Sequence, residues 1–184
     1  MDELIDIVDE SWEPTGEIVS KYKAHSEGIL HRVVHIHFYD MHGNMYFQKR
    51  SSTKNHFPWM LHFAVGGHVW VGESLIEAIH REWKEELWIM FDEHILHLIG
   101  VFHQKTNHPK YALIDNEIAF DYWFCFDWNI EHLIFEDWEV EWIEKIHIVD
   151  LIKMSLKDYE INNIVPYDFY PQIFKWILTK LHKK

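Results

Sequence analysis

One stretch constrains the fold more than any other, because residues 74–87 carry apolar side chains at helical spacing. The apolar stripe consists of Ile76, Ile79, Trp83 and Leu87, at successive spacings of three, four and four residues. Side chains at this spacing share one face of an α-helix, and that face must be buried against another element. We therefore predict an amphipathic helix over residues 74–87 that packs on a sheet or on other helices.

Three carboxylates lie beside this stripe. Glu82, Glu85 and Glu86 stand at positions i, i+3 and i+4, which share one face of a helix. Like charges at this spacing repel each other, and a divalent cation with a preference for hard oxygen ligands, Mg²⁺ or Mn²⁺, would relieve the repulsion. Arg81 precedes Glu85 by four residues and can pair with its carboxylate. Taken alone, the Glu-x-x-Glu-Glu pattern is equally compatible with a solvated acidic face.

The rest of the chain predicts strands in an irregular order around this helix. Alternating and apolar segments predict strands at 4–8, 31–39, 45–49, 95–104, 117–126 and 140–148, short extended segments at 63–65 and 68–71, and a turn at 13–17. Pro171 opens a final amphipathic helix that extends to about residue 183. Since strands and helices do not alternate regularly, we expect one α+β (α/β) domain over residues 1–184 rather than a doubly wound parallel sheet.

Charge and composition restrict the partners. The chain has 30 Asp and Glu against 17 Lys and Arg, a net charge of -13, which argues against nucleic acid because phosphate binding needs clustered basic residues. A phosphorylated metabolite is still compatible with this negative charge, since divalent cations can bridge the protein's carboxylates and the phosphate groups. Cys125 is the only cysteine, so no disulfide forms within the chain. Without an apolar run of about 20 residues or a signal-like start, we expect a cytoplasmic protein with no membrane partner; a homo-oligomer stays open.

A loop at fixed spacing precedes the acidic helix. The pattern G-x5-E-x7-R-E-U-x-E-E-x-G-U, with U a bulky apolar residue, is matched over residues 67–89 by Gly67, Glu73, Arg81, Glu82, Glu85, Glu86 and Ile89, with Trp83 at the first U. This stretch resembles the Nudix box. The resemblance implies an α/β/α sandwich with a mixed sheet, in which the box forms a loop-helix-loop that binds divalent metals against a diphosphate.

The same resemblance implies roles for individual residues. The metal ligands would be Glu82, Glu85 and Glu86, and the catalytic set would comprise Arg81, Glu85, Glu86 and Glu117, with Glu73 in a structural role. Glu117 would act as an extra metal ligand or general base; an exposed strand carboxylate is the alternative. The substrate-binding candidates are Lys49, Arg50 and His68, although charges at the end of a strand would explain the first two equally well. Mg²⁺ or Mn²⁺ is the implied cofactor.

Further segments resemble the branch related to isopentenyl diphosphate isomerase, over roughly residues 4–150. They include residues 6–10, 25–35, 48–51, 57–58, 116–117 and 141–143. Those isomerases use a cysteine shortly before the box, and residues 57–68 contain none. We therefore expect hydrolysis of a diphosphate-containing small molecule, either a nucleoside diphosphate derivative or an isoprenoid-like diphosphate. The alternatives are a non-catalytic or engineered scaffold or binding protein and, less favoured, the isomerase.

Several aromatic residues depart from this pattern. Trp88 replaces the last glycine of the box, Trp59 follows Phe-Pro where glycine is usual, and Trp12 stands in the first turn, where glycine is also usual. A tryptophan at positive φ costs on the order of 1 kcal/mol where glycine costs little. The departures suggest a heavily diverged or engineered member. We predict that Trp59, Trp70 and Trp88 reshape the substrate pocket, impair activity or form an apolar patch.

Two histidines of the second predicted strand, His35 and His37, stand two residues apart and thus on one strand face. Such a pair can bind a transition metal. The more common alternative is a pair of polar strand positions, and we favour it.

Overall fold

The computed structural model describes residues 3–87, 95–125 and 140–181. Within these ranges the strands are β1 (Leu4–Val8), β2 (Pro14–Ser20), β3 (His31–Tyr39), β4 (Asn44–Arg50), β5 (Leu61–Phe63), β6 (Val65–His68), β7 (His97–His108), β8 (Leu113–Cys125) and β9 (Val140–His147). The helices are α1 (Lys21–Glu27), α2 (Leu75–Leu87), α3 (Ile148–Lys153), α4 (Leu156–Ile161) and α5 (Tyr170–Leu181). None of the described helices is long and apolar enough to cross a membrane.

A mixed sheet of seven strands forms the centre of the fold. Its main path runs β5-β4-β3-β8-β7, while β6 pairs with β3 and β9 pairs with β4. The long pairing of β3 with β8 is parallel and sets His31 opposite Glu117. The other pairings in this sheet are antiparallel. Strands β1 and β2 form a separate antiparallel hairpin.

Helices cover both faces of the sheet. On one face, Val34, Ile36 and Phe38 of β3 pack with Ile79 and Trp83 of α2. On the other face, a second cluster joins Met45 and Phe47 of β4 to buried residues of α3, α4 and α5, among them Leu151, Tyr159, Phe174 and Ile177. Alternate residues of a strand point to opposite faces of the sheet, so a single strand can contribute side chains to the hydrophobic clusters on both faces. The result is the predicted α/β/α sandwich with a mixed sheet.

The predicted elements are largely confirmed. The acidic helix begins one residue later than expected, after Ser74. The Glu77 carboxylate accepts from the backbone N–H of Ser74, and the Ser74 hydroxyl accepts from the backbone N–H of Glu77, which together cap the start of the helix. Ile79, Trp83 and Leu87 are buried as predicted, but Ile76 is 36% exposed and does not join the core.

The predicted turn at 13–17 was wrong, because residues 14–20 form β2. Three short helices, α1, α3 and α4, were not predicted; each has only six or seven residues, too few for apolar periodicity to emerge.

Candidate active site and metal centre

Arg81 ties the loop before α2 to the helix. Its guanidinium donates from Nε to Glu73 Oε1 at 2.8 Å and from Nη2 to Glu73 Oε2 at 3.0 Å. Nη2 also donates to the carbonyl oxygen of His68 at 2.7 Å, and the guanidinium carbon lies 3.8 Å from the ring centre of Trp70. The pairing of Arg81 with Glu85, expected from the sequence, is longer at 3.5 Å. Glu73 therefore has the structural role that the resemblance implied.

Glu82 is buried beneath this loop. Nη1 of Arg81 donates to Glu82 Oε1, and the carboxylate fills the space next to Gly67, where an added Cβ would overlap it. Burial raises the pKa of Glu82 to about 7, although the charge of Arg81 acts in the opposite direction. Gly67 is thus required by close packing, and its position in the box follows from the placement of Glu82.

The other two box carboxylates differ in exposure. Glu86 is buried and accepts two hydrogen bonds, from Gln48 Nε2 to Oε1 and from the Gly66 backbone N–H to Oε2, both at 3.1 Å. The side chain of Glu85 is 49% exposed. Glu82, Glu85 and Glu86 nevertheless line one common cavity, as the spacing on α2 predicts.

Three histidines and Glu117 form a second group at the same cavity; His25, His68 and Glu117 line it, and His31 lies buried behind them. Their ligand atoms all lie within 4.8 Å of one another, in a set made of His25, His31, His68 and Glu117. Nε2 of His25 lies 2.8 Å from Nε2 of His68, and Nε2 of His31 lies 3.6 Å from Glu117 Oε1. The predicted ligand Glu117 thus joins histidines, and the sequence reasoning did not assign His25 or His31 to any metal.

The chemistry of this group fits a metal ion. His31 donates from Nδ1 to the carbonyl oxygen of Ile29 at 2.7 Å, which leaves Nε2 as the acceptor nitrogen of the neutral ring. Among the residues that the structure describes, this buried atom has no hydrogen-bond partner. Outer hydrogen bonds of this kind orient metal-binding imidazoles. Burial, followed by the charge of Lys21, lowers the pKa of His68 well below its usual value, which keeps that ring neutral. Three imidazoles and a carboxylate suit Mn²⁺ and other transition metals better than Mg²⁺.

Asp115 supports this centre from outside. Its carboxylate lies 3.2 Å from His25 Nδ1 and accepts from His108 Nε2 at 3.0 Å. Burial opposes ionisation of Asp115, but the hydrogen bonds from His108 and His25 outweigh it and lower its pKa to about 2. The ionised carboxylate orients the His25 ring with Nε2 toward the other ligands.

Both groups open into one cavity of about 360 Å³. Its wall also carries three basic side chains, Lys21, Arg50 and Lys54. Arg50 and His68, two of the predicted substrate-binding residues, line the cavity. Lys49, the third, does not; its ammonium lies 5.4 Å from the ring centre of Trp142, because neighbouring residues of β4 point to opposite faces.

Trp59 and Trp70 do not reshape the pocket in the way that we predicted. Trp59 and Trp70 are not among the residues that line the cavity; Trp70 packs on Arg81 instead. Trp59 and Trp12 do adopt positive φ, at 64° and 71°, as expected for positions where glycine is usual. Trp88 and Ile89 lie outside the described residues.

The structure also bears on the isomerase alternative. Cys125 ends β8 next to Tyr39 of β3 and does not line the cavity. At position 66, just before the box glycine, an added Cβ would overlap the ring of Phe63 and lie 2.9 Å from the carbonyl oxygen of Val34. A side chain at residue 66 therefore needs a rearrangement of the site.

A three-layer α/β/α sandwich with an acidic box helix and an adjoining candidate metal centre defines a Nudix-type protein. The NUDIX domain model matches residues 29–166. The chain belongs to the Nudix family.

Named relatives come from several bacteria. The chain is 39% identical over 87 residues to isopentenyl-diphosphate Delta-isomerase 2 of Photorhabdus laumondii, a match that covers 47% of this chain and 49% of that protein. It is 29% identical over 128 residues to the uncharacterized Nudix hydrolase YfcD of Escherichia coli, covering 64% of this chain and 71% of the relative. This chain thus aligns with about half of the isomerase. Proteins named as Nudix hydrolases are thus among the relatives of this chain.

Solved structures share the fold. The DR0079 protein of Deinococcus radiodurans superposes with a TM-score of 0.67 at 22% identity, over 94% of this chain and 98% of that one. The NUDIX domain of Shewanella oneidensis NrtR, in complex with ADP ribose, gives a TM-score of 0.57 at 10% identity, over 89% and 99%. At these identities the similarity establishes the architecture alone.

Proposed function

We propose that this protein is a divalent-metal-dependent hydrolase of a diphosphate-containing small molecule. The observation that carries the proposal is the shared cavity: box carboxylates, basic side chains and three members of the histidine-rich centre, His25, His68 and Glu117, all line it. A diphosphate needs positive charge on several oxygens at once, and metal ions together with Lys and Arg supply it. The net charge of -13 makes bound cations a requirement for holding such an anion.

Each group would have a distinct task. His25, His31, His68 and Glu117 would hold one ion, and the outward-facing Glu85 with Glu82 and Glu86 would hold Mg²⁺ or Mn²⁺. When bound, such ions polarise a phosphoryl oxygen and lower the pKa of a coordinated water. Arg50 and Lys54 would bind phosphate oxygens, and Arg81 would keep the box loop in place.

The substrate class follows from the family members with named ligands. NrtR's domain binds ADP ribose and a Caenorhabditis elegans relative by fold is an Ap4A hydrolase, so nucleoside diphosphate derivatives are the first class to test. The similarity to a named isomerase makes isopentenyl diphosphate the second. We favour hydrolysis over isomerisation because residues 57–68 hold no cysteine and position 66 has no room for a side chain.

The test is chromatographic detection of phosphoanhydride cleavage products from a panel of ADP-ribose, diadenosine tetraphosphate and isopentenyl diphosphate, each with Mg²⁺ or Mn²⁺. We expect the parent to cleave at least one compound and Glu86→Gln to reduce turnover at least 100-fold. Glu160→Gln, which removes an exposed carboxylate on α4, is the matched control and should behave like the parent. Conversion of isopentenyl diphosphate without phosphate release would establish the isomerase, and the absence of any turnover would favour a binding protein.

A further inference from the structure

A buried carboxylate with two histidines lies beside the metal centre. His35 and Asp121 face each other across the parallel pairing of β3 and β8, with His35 Nδ1 at 3.3 Å from Asp121 Oδ1. His37 Nε2 lies 2.7 Å from the same oxygen. The sequence pointed to His35 and His37 as a possible metal pair, but in the structure both rings contact Asp121 instead.

This group is costly to bury. Asp121 is fully buried, and its Oδ2 has no hydrogen-bond partner among the residues that the structure describes. Burial opposes its ionisation, but the charges and hydrogen bonds of His35 and His37 lower the pKa of Asp121 to about 2. An ion in the protein interior carries a desolvation penalty of several kcal/mol that apolar side chains would avoid. A buried carboxylate that holds an imidazole is therefore a candidate for a functional group.

Only one of the two imidazoles reaches the cavity. His35 lines it, whereas His37 and Asp121 do not. The His35 ring is fixed by Phe63, whose ring centre lies 4.0 Å away, and by a parallel contact with Phe169 at 5.9 Å. His37 lies deeper, against Phe63 and Tyr170. The geometry of the group thus presents one oriented imidazole to the substrate cavity.

The hydrogen bond to Asp121 determines which nitrogen of His35 carries the proton. A carboxylate accepts, so Nδ1 donates, and Nε2 of the neutral ring is left as a proton acceptor. Three other acceptors that line the cavity have hydrogen-bond partners. Glu86 takes hydrogen bonds on both oxygens, and Glu82 is paired with Arg81. Nε2 of His62 is 2.9 Å from the hydroxyl of Tyr167.

We propose that His35 is the general base of the hydrolysis proposed above, with Asp121 as its positioning residue. His35 Nε2 takes a proton from the attacking water as the water oxygen bonds to phosphorus. The bridging P–O bond breaks, its electron pair stays on the leaving phosphate, and the imidazolium is stabilised by the carboxylate of Asp121. The titratable groups that surround His35 are Asp121 on β8, His37 on β3, His62 on β5 and His68 at the end of β6.

The kinetic test compares His35→Gln, Asp121→Asn and His37→Gln with the parent, on the compound that the panel identifies. General bases contribute about 100-fold or more to rate, so we expect kcat to fall by about that factor in His35→Gln with little change in KM. Asp121→Asn should lower kcat and alter the pH profile. His37→Gln, which contacts the same carboxylate but not the cavity, should lower kcat less than His35→Gln does, and Glu160→Gln, which removes an exposed carboxylate on α4, is the control that should retain kcat. In His35→Ala, added imidazole should restore turnover and pyrrole, which accepts no proton at neutral pH, should not.

A second measurement needs no turnover. Nitrogen-detected NMR of the parent's imidazoles should show His35 with a proton on Nδ1 and none on Nε2 at neutral pH, and its signals should shift when methylenediphosphonate is added with Mg²⁺. A protonated Nε2 in the neutral ring, an unresponsive His35, or equal kcat for His35→Gln and the parent would each overturn the assignment. A parent that cleaves none of the panel compounds would overturn the proposed function together with the base, whereas an active parent with an unaffected His35→Gln would overturn the base alone.

Discussion

Substitution of Gly67 by alanine tests how tightly the box is packed. The new Cβ would overlap the Glu82 carboxylate, so either the loop or Glu82 must move. Overpacking of this kind costs about 1–3 kcal/mol, and separating a buried carboxylate from its partner costs about 3–5 kcal/mol. Because the Glu82 side chain can rotate toward the cavity, we expect the free energy of unfolding to fall by about 3 kcal/mol rather than by the sum of the two costs.

Gly72→Ala is the matched control in the same loop. Gly72 has a φ of 74° and open space around its Cβ position, so alanine there costs only the strain of the left-handed conformation, about 1 kcal/mol. Urea denaturation should therefore separate the two variants by about 2 kcal/mol, the difference between these two estimates. Gly67→Ala should also lose metal-dependent turnover, while Gly72→Ala keeps it. If both variants were equally stable and equally active, Glu82 would not be held against Gly67 as described.

Three further predictions concern single side chains. Isothermal titration with Mn²⁺ should show weaker binding by Glu86→Gln than by the parent, because the variant loses a charged oxygen ligand; equal affinities would contradict a role in the metal site. Trp59→Gly should raise stability by about 1 kcal/mol in urea denaturation, because Trp59 is half exposed and has a φ of 64°; a less stable variant would show that its ring contacts outweigh the strain. The pKa of Asp121 is about 2, below its ordinary 3.8, so the ionised carboxylate stabilises the fold at pH values above 3.8. This contribution of about 2 kcal/mol is lost as the pH falls from 3.8 to below about 2. Asp121→Asn should accordingly have a flatter stability curve than the parent below about pH 4, and parallel curves would refute the ionised, buried carboxylate.

The elements with strong periodicity were predictable from sequence. Residues 75–87 and 31–39 combine a clear apolar pattern with burial on α2 and β3. The short helix α3 packs on α5 and β9, contacts that no local pattern encodes. The helix α4 does have a local signal, the capping box formed by Ser155 and Asp158, which the sequence reasoning missed. The strand β2 was hidden by Pro14 and Gly16, residues that more often mark turns.

The residues of the site also fall into a group that could be predicted from the sequence and a group that could not. The carboxylates of the box lie within five residues of one another, so helix geometry alone places Glu82, Glu85 and Glu86 together. The histidine centre joins residues 25, 31, 68 and 117 from four elements, and their approach depends on the parallel register that sets His31 opposite Glu117. The sequence did contain a signal. His31 and His35 are four residues apart and therefore lie on one face of a strand, and the same is true of Glu117 and Asp121.

The central claim is that metal ions and the residues of this one cavity cleave a diphosphate. Phosphorus NMR can follow ADP-ribose and the other panel compounds with chelator-treated protein, before and after Mn²⁺ is restored. We predict no change in the phosphorus signals until the metal is added, then the appearance of monophosphate products from at least one compound. Cleavage at the same rate in excess chelator, or intact signals for every compound with Mn²⁺ and with Mg²⁺, would contradict the claim.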